Sequence, residues 1–170
     1  MSYILEKITN NEIQFLKKKN VYKMQYDDKN IKILSPKLKI PFGVENFNNK
    51  LILNLELDKN KNNDTHNFSS IIKSIENYLI NLDRICDVEL KNFTYCSSYK
   101  NRPDPFCPLL RTSIKKYGKK ILTKICSKSD LKTLHDIKKN DYISVLLEIE
   151  SIWVYGDKYG INWTLNTIYA

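Results

Sequence analysis

Residues 142–170 read YISVLLEIESIWVYGDKYGINWTLNTIYA, and this stretch decides the class of fold. Apolar side chains recur at alternate positions over 143–153, with Ser151 as the exception, and again over 161–169, with Thr167 as the exception, on either side of a glycine-containing turn. Because successive side chains of a β-strand point to opposite faces, this pattern predicts two strands that form an antiparallel hairpin. Trp153 and Trp163 both fall in the apolar phase, so we expect both tryptophans in the core.

The rest of the sequence adds further strands and one clear helix. Leucines alternate with more polar residues over 51–58, which predicts another strand with one buried face. Shorter segments of the same character predict strands at 21–26, 31–34, 93–99, 109–115 and 119–126. Apolar residues at three- and four-residue steps predict an amphipathic helix over 68–82. Weaker patterns suggest a second helix over 11–19, a helical turn over 130–137 and a solvated loop over 58–67.

These elements predict an all-β, β-dominated fold: a decorated barrel of about eight strands with one packed helix across its end. A chain of 170 residues is long enough to bury one substantial core, and it shows no internal repeat. We therefore expect a single domain over residues 1–170, with residues 1–20 as a candidate N-terminal extension. Whether that extension pairs with a second copy in a homodimer is left open.

Composition limits how the net charge of +9 can be interpreted. Lys, Ile and Asn make up 65 of the 170 residues and share A/T-rich codons, so codon bias explains part of the charge. The charge is nevertheless uneven: residues 17–50 sum to +6 and residues 99–128 to +8, whereas residues 140–170 sum to −3. This distribution favours one positively charged face over a uniformly basic surface.

Several classes of protein are excluded by composition and spacing. No apolar run approaches the ~18 residues that span a bilayer, and the N-terminus lacks a signal-peptide apolar region, so no membrane partner is expected. The four cysteines form no C-x-x-C pair and only two histidines are present, which argues against a zinc site. There is no glycine-rich phosphate loop. We expect neither a metal nor another cofactor.

The sequence contains only weak candidates for catalytic residues. Glu148 and Glu150 share one phase of a strand, and such a carboxylate pair can hold a divalent metal in a nuclease. No Lys or His follows within the next few residues, so the polar face of a strand explains the pair well. A nucleophilic pair such as Cys107 with His135 lacks any local signature. We therefore assign no catalytic residues, and a metal nuclease remains a third hypothesis.

Nucleic-acid binding has a stronger signal. Residues 99–128 read YKNRPDPFCPLLRTSIKKYGKKILTKICSK, in which cations alternate with aromatic rings. Cations neutralise phosphates, and rings offer stacking surfaces for unpaired bases. Lysines on both sides of Gly118 predict a flexible basic hairpin, and the common phase of Lys120 and Lys124 places them on one face. The candidate binding residues are Tyr99, Lys100, Arg102, Phe106, Arg111, Lys115, Lys116, Tyr117, Lys119, Lys120 and Lys124.

A second irregular element lies over residues 37–50, where Pro41 and Gly43 predict a bend. Phe42 and Phe47 in this element can either stack on bases or fill one end of the barrel. Filling the barrel end is the interpretation that we favour from the sequence.

A family resemblance rests on three stretches: residues 40–57 (IPFGVENFNNKLILNLEL), 104–112 (DPFCPLLRT) and 139–165 (KNDYISVLLEIESIWVYGDKYGINWTL). Together they resemble the phage-type single-stranded DNA-binding proteins that also occur in nucleocytoplasmic large DNA viruses. The resemblance implies an OB-fold, a Greek-key barrel with a helix between strands and a basic, aromatic groove for single-stranded DNA. It adds Lys37 and Lys39 to the candidate binding residues.

The resemblance also implies a role. Such proteins act in viral DNA replication, recombination and repair, with partners such as polymerase or primase-helicase, and they have no catalytic site. The implied location is the viral replication site in the host cytoplasm or nucleus. RNA is a further candidate ligand, because non-specific grooves contact the backbone and bases of both nucleic acids. The alternative function is a non-enzymatic structural or scaffold protein of a viral replication factory or virion.

Overall fold

The computed structural model describes residues 13–19, 21–57, 63–127 and 133–170. The helices in these ranges are α1 (Asn63–Ile80) and a short 3-10 helix (Leu134–Asp136). The strands up to α1 are β1 (Ile13–Lys18), β2 (Val21–Tyr26), β3 (Lys29–Asn30), β4 (Lys32–Leu34), β5 (Leu38–Lys39), β6 (Val44–Phe47) and β7 (Lys50–Glu56). The strands after α1 are β8 (Arg84–Ile85), β9 (Val88–Glu89), β10 (Thr94–Tyr95), β11 (Tyr99–Lys100), β12 (Leu109–Ile114), β13 (Lys116–Tyr117), β14 (Lys120–Ile121), β15 (Lys124–Cys126), β16 (Tyr142–Tyr155) and β17 (Lys158–Tyr169).

Five of these strands close into a ring. β16 pairs with β5, β5 with β7, β7 with β12, β12 with β17, and β17 returns to β16. All of these pairings are antiparallel except β12 with β17, which is parallel. A closed ring leaves no free edge among its members, which is how a small barrel satisfies its backbone. The predicted β-dominated, OB-fold-like barrel is confirmed.

The barrel interior is filled by the residues that the period-two patterns placed there. Leu53 and Leu55 are completely buried, and Leu57 is nearly so. The predicted hairpin is formed by β16 and β17, whose pairing runs from Tyr155 opposite Lys158 to Ser144 opposite Tyr169. The alternation predicted for the leucine strand is therefore confirmed, and that of the hairpin holds over 143–149 and 161–165 but not at Trp153 or at Tyr169, which is 42% exposed while Ile168 is buried.

The expectation that both tryptophans are core residues holds only for Trp163, which is 2% exposed. An irregularity in the β16–β17 pairing between Ile149 and Ser151 shifts the alternation by one residue. As a consequence Ile152 points inward, and Trp153 is half-buried against Gly160 on the neighbouring strand. A bulge of this kind is set by pairing across strands, so the phase of a single strand does not predict it.

The predicted helix over 68–82 corresponds to α1. Phe68, Ile72 and Leu79 on its apolar side belong to the same hydrophobic core as the barrel. The hydroxyl of Tyr159 on β17 donates a hydrogen bond to the carbonyl of Leu79 at 2.9 Å, which fixes the end of the helix to the barrel. The helix begins at Asn63, so the loop predicted over 58–67 is wrong from residue 63 onwards, and residues 58–62 lie outside the described ranges.

The helix predicted over residues 11–19 is wrong. Residues 13–18 form β1, which pairs antiparallel with β2 along its whole length. The ring of Phe15 stacks on that of Tyr78 in α1 at 6.3 Å between centroids. A short apolar segment is ambiguous between strand and helix, and the neighbouring strand decides in favour of pairing here. Residues 11 and 12 lie outside the described ranges.

The helical turn predicted over 130–137 is represented by the 3-10 helix, with residues 130–132 outside the described ranges. No helix in the described part of the chain is long and apolar enough to cross a membrane.

Candidate nucleic-acid interface

One outer side of the barrel is built by β5, β7, β12 and β11. Between the core leucines of β7, Asn54 and Glu56 point outward, and Arg111 on β12 lies opposite Asn54. Residues directly opposite each other in an antiparallel pair share a face of the sheet. By this rule Lys39, which pairs with Glu56, and Lys100, which pairs with Leu109, belong to the same side. We call this surface the β7–β12 face and define it by Lys39, Glu45, Phe47, Asn54, Glu56, Lys100, Arg102, Phe106, Arg111 and Tyr142.

Exposed aromatic rings lie beside these cations. Phe47 is 58% exposed, and the guanidinium of Arg111 lies 5.8 Å from its ring centroid. Phe106 is 55% exposed, and the guanidinium of Arg102 lies 5.2 Å from its ring centroid. Tyr142 is 63% exposed and pairs with Lys39. Large rings in solvent are available for stacking, and their faces attract cations.

The interpretation of Phe47 as a residue that fills the barrel end is wrong, because its ring faces solvent. Phe42 is likewise exposed. Sequence reasoning also missed Tyr142, although a usable signal was present. Tyr142 has the same phase as Ser144, which is the polar side of its strand, and an aromatic residue in a polar phase is a candidate for an exposed ring.

Arg102 lies on the face, but its charge is already compensated. Its guanidinium donates to the carboxylate of Glu56 at 2.7 Å and to the carbonyl of Cys107 at 2.5 Å. Arg111 differs, because no described carboxylate lies within ion-pairing distance of it. Arg102 is therefore bound by partners within the protein, whereas the charge of Arg111 is available to an anionic ligand.

The basic hairpin forms as a separate two-stranded sheet of β13 and β14. Tyr117 lies opposite Lys120 and is 81% exposed. Gly118 turns the chain with a positive φ of 57°, which glycine adopts without steric cost. Lys116, Lys119 and Lys120 are exposed, and none of them forms an ion pair with another residue of the described ranges.

A cleft of about 800 Å³ separates this hairpin from the β6–β7 ribbon. Its walls include Asn46 and Leu51 from the ribbon, and Lys119 and Ile121 from the hairpin. The hairpin thus stands next to the β6–β7 ribbon, on the side of Asn46 and Leu51, while Phe47 belongs to the other side of that ribbon.

Three of the candidate residues are placed elsewhere. Tyr99 pairs with the buried Leu110, and the amine of Lys73 on α1 lies 4.9 Å from its ring centroid, so the ring faces the helix. Lys115 lies 3.4 Å from Glu150, which compensates its charge. Lys124 is on β15, which joins β17.

The expected common face of Lys120 and Lys124 is wrong, because the strand predicted over 119–126 is broken. The Thr123 hydroxyl donates to the carbonyl of Leu165 at 2.6 Å and accepts from the backbone N–H of Lys115 at 2.9 Å. These bonds anchor the break, and the chain passes from one sheet to another there. Of the remaining candidates, Lys37 is exposed and directly precedes β5, which contains Lys39.

No family model and no curated protein match the sequence. A C-terminally truncated form of the single-stranded DNA-binding protein from bacteriophage Enc34 is similar in structure, with a TM-score of 0.53, 14% identity and 95% coverage of both chains. Another structure of that phage protein matches with a TM-score of 0.49 and 14% identity, over 92% of this chain and 88% of the other.

The chain has the fold of this phage protein. The coverage includes the barrel, α1 and the β16–β17 hairpin together, because only a small fraction of either chain is left unmatched. At 14% identity the likeness concerns the fold.

Glu148 and Glu150, the carboxylate pair considered for a nuclease, contact other side chains of the barrel instead. Glu148 is 4% exposed, and its oxygens accept hydrogen bonds from the side-chain amides of Asn30 at 2.6 Å and Asn166 at 3.0 Å. Lys115 is 3.9 Å away. In the described ranges no group of three or more His, Cys, Asp or Glu residues could hold a metal ion. Glu148 on β16 is thus linked by side-chain hydrogen bonds to Asn30 on β3 and Asn166 on β17.

The environment of Glu148 predicts a pH dependence of stability. Burial alone would raise the pKa of this carboxyl group, but the hydrogen bonds from Asn30 and Asn166 and the charge of Lys115 outweigh it and lower the pKa below the ordinary value of 4.5. Because the native pKa is lowered, the stabilisation is present above pH 4.5 and is lost as the pH falls through the native pKa.

Urea unfolding between about pH 7 and pH 3 should therefore show a decrease in the free energy of unfolding that is smaller in Glu148→Gln than in the unmodified protein. Glutamine has nearly the same shape and no titrating proton in this range. An identical pH dependence of the two proteins would contradict the role assigned to Glu148.

Proposed function

We propose that this chain is a non-enzymatic single-stranded DNA-binding protein that holds an extended strand across the β7–β12 face and the basic hairpin. The observation that carries the proposal is the exposed ring of Phe47 beside Arg111, an arginine without a carboxylate partner in the described ranges. A ring next to an available cation can stack on a base while the cation contacts the adjoining phosphate.

The other residues of the surface extend this arrangement. Lys39, Lys100 and the hairpin lysines neutralise phosphates along the strand, and Phe106 and Tyr142 offer further stacking surfaces. Every base has a π-face and every nucleotide a phosphate, so such contacts bind with little sequence preference. Direct reading of base edges would require polar groups fixed in a groove, which this mechanism does not use.

We infer a biological role from the fold and the sequence resemblance taken together. The structurally similar phage protein is described as a single-stranded DNA-binding protein, which supports the same ligand class here. On this proposal the chain belongs to the kind found in phages and nucleocytoplasmic large DNA viruses. It would protect unpaired strands in viral DNA replication, recombination or repair, at the replication site in the host cytoplasm or nucleus, alongside polymerase or primase-helicase.

The scaffold alternative predicts lysines scattered without regard to aromatic residues. The grouping of Lys39, Lys100 and Arg111 with exposed rings on one side of the barrel supports the nucleic-acid ligand instead.

Fluorescence anisotropy with a labelled oligo-dT tests the proposal directly. We expect binding that weakens linearly on a log–log plot against salt concentration, with a slope of about −0.7 for each phosphate contact and so about −3 for four or five contacts. Unlabelled oligo-U in competition measures the preference for DNA over RNA. Absence of binding at low salt, or binding that does not respond to salt, would contradict the proposed function.

A further inference from the structure

Glu56 and Arg102 form an unusually enclosed ion pair on the β7–β12 face. Their side chains are 19% and 18% exposed, and the distance between the bonded atoms is 2.7 Å. A second hydrogen bond, from Arg102 Nε to the carbonyl of Cys107, holds the guanidinium group at another nitrogen. Charge-assisted bonds from two nitrogens fix the plane of a guanidinium in a way that a solvated surface arginine does not experience.

This fixed guanidinium lies 5.2 Å from the ring centroid of Phe106. The backbone of the loop is constrained as well, because Phe106 N–H donates to the carbonyl of Pro103 at 3.0 Å and further prolines stand at 105 and 108. The ring nevertheless remains 55% exposed. Phe106 is therefore held in place at one side while the rest of its surface faces solvent.

A carboxylate at the centre of a surface that binds a polyanion requires an explanation. Glu56 repels phosphate, and its pairing with Arg102 removes one of only three arginines in the chain from phosphate binding. Both effects oppose binding if electrostatics alone matters. These two losses are compensated if the ion pair holds another binding residue in place, and the contact between Arg102 and Phe106 identifies that residue as Phe106.

We propose that Glu56 and Arg102 are positioning residues: a charge-neutral pair that holds Phe106 ready to stack on a base, with Arg102 making no phosphate contact. This inference rests on the proposed function for its ligand. Holding the ring in place before binding reduces the conformational entropy that is lost when a base stacks on it.

The sign of the effect of Glu56→Gln tests the proposal. Electrostatics alone predicts tighter oligo-dT binding, since a negative charge leaves the face. If the pair positions Phe106, binding should instead weaken by roughly fivefold. Glu45→Gln is the matched control. Glu45 lies on the same face and accepts a hydrogen bond from the Asn54 side-chain amide at 2.7 Å, so its replacement removes the same charge without changing the contacts of Arg102. Its affinity should rise slightly. Tighter binding by both variants would overturn the proposal.

The salt dependence of Arg102→Gln separates positioning from phosphate contact. A phosphate-binding arginine contributes about 0.7 to the log–log slope, and its removal makes the slope shallower by that amount. We expect Arg102→Gln to weaken binding with an unchanged slope, whereas Arg111→Gln should make the slope shallower. A slope change in Arg102→Gln equal to that of Arg111→Gln would overturn the assignment.

A measurement without DNA keeps this inference separate from the proposed function. Chymotrypsin cleaves after exposed aromatic residues when the backbone is mobile enough to enter the protease. We expect cleavage after Phe106, relative to cleavage after Tyr155 in the same chain, to accelerate at least about threefold in Glu56→Gln and Arg102→Gln but not in Glu45→Gln. If the unmodified protein failed to bind oligo-dT, the proposed function would fail, and this ratio would still decide whether the pair holds the loop. An unchanged ratio would overturn the inference.

Discussion

Replacing Phe47 and Phe106 together by alanine is expected to weaken oligo-dT binding by roughly a hundredfold. Each stacked base is worth about 1–3 kcal/mol by alanine substitution, and two rings on one face would lose two such contacts. The slope of log affinity against log salt should stay the same, because neither ring carries charge. Fluorescence anisotropy at several salt concentrations measures both quantities in one experiment.

The same double variant should fold normally. Both rings are more than half exposed, so their removal should change the free energy of unfolding by less than about 0.5 kcal/mol each. Tyr155→Ala is the matched control, because Tyr155 is 83% exposed at the tip of the β16–β17 hairpin, away from the β7–β12 face. Equal losses of affinity in the control and the double variant would mean that stacking on this face is not the mechanism.

Reversing the charge of Lys116, Lys119 and Lys120 to glutamate should have the second largest effect. Three phosphate contacts would be lost, so the log–log slope should become shallower by about 2, and affinity at ~0.1 M salt should fall by about a hundredfold. The loss should be similar for oligo-dT and for mixed sequences, since phosphate contacts carry no base information. The stability of the barrel should be unaffected, because β13 and β14 pair only with each other.

A triple reversal of Lys18, Lys91 and Lys158 provides the control for net charge. All three are exposed, and they belong to β1, the segment after β9 and the tip of the β16–β17 hairpin. The total charge changes by the same amount in both variants, but only the first removes the basic hairpin. Similar affinities of the two variants would show that overall charge, rather than the hairpin, attracts the strand.

Much of the barrel could be predicted from local patterns. The leucine strand β7, the long β16–β17 hairpin and α1 all show a periodicity that is a property of a single segment, so the sequence of that segment is sufficient. The prediction failed for β1, where six residues are too few to separate the helical period from the strand period. It also failed for Trp153, because the irregularity in β16 depends on how β17 pairs with it.

The candidate interface was predicted less completely. The basic block over 99–128 contains Arg111, which lies on the β7–β12 face, and the lysines that form the basic hairpin. The same block contains Arg102 and Lys115, whose partners Glu56 and Glu150 are distant in the chain. Charge counts along a sequence cannot distinguish an available cation from a paired one, since both contribute equally to the sum.

The leucine strand, the C-terminal hairpin, the long helix and the places where positive charge is concentrated follow from the sequence alone, because period and composition are local properties of a chain. Which cations remain available and which aromatic rings stand in solvent depends on the folded structure. Ion pairs and burial arise from contacts between residues that folding brings together, and the pairing of Glu56 with Arg102 joins positions 46 residues apart. The β7–β12 face is therefore a product of strand register: one residue of shift would turn Arg111 inward and Leu110 outward.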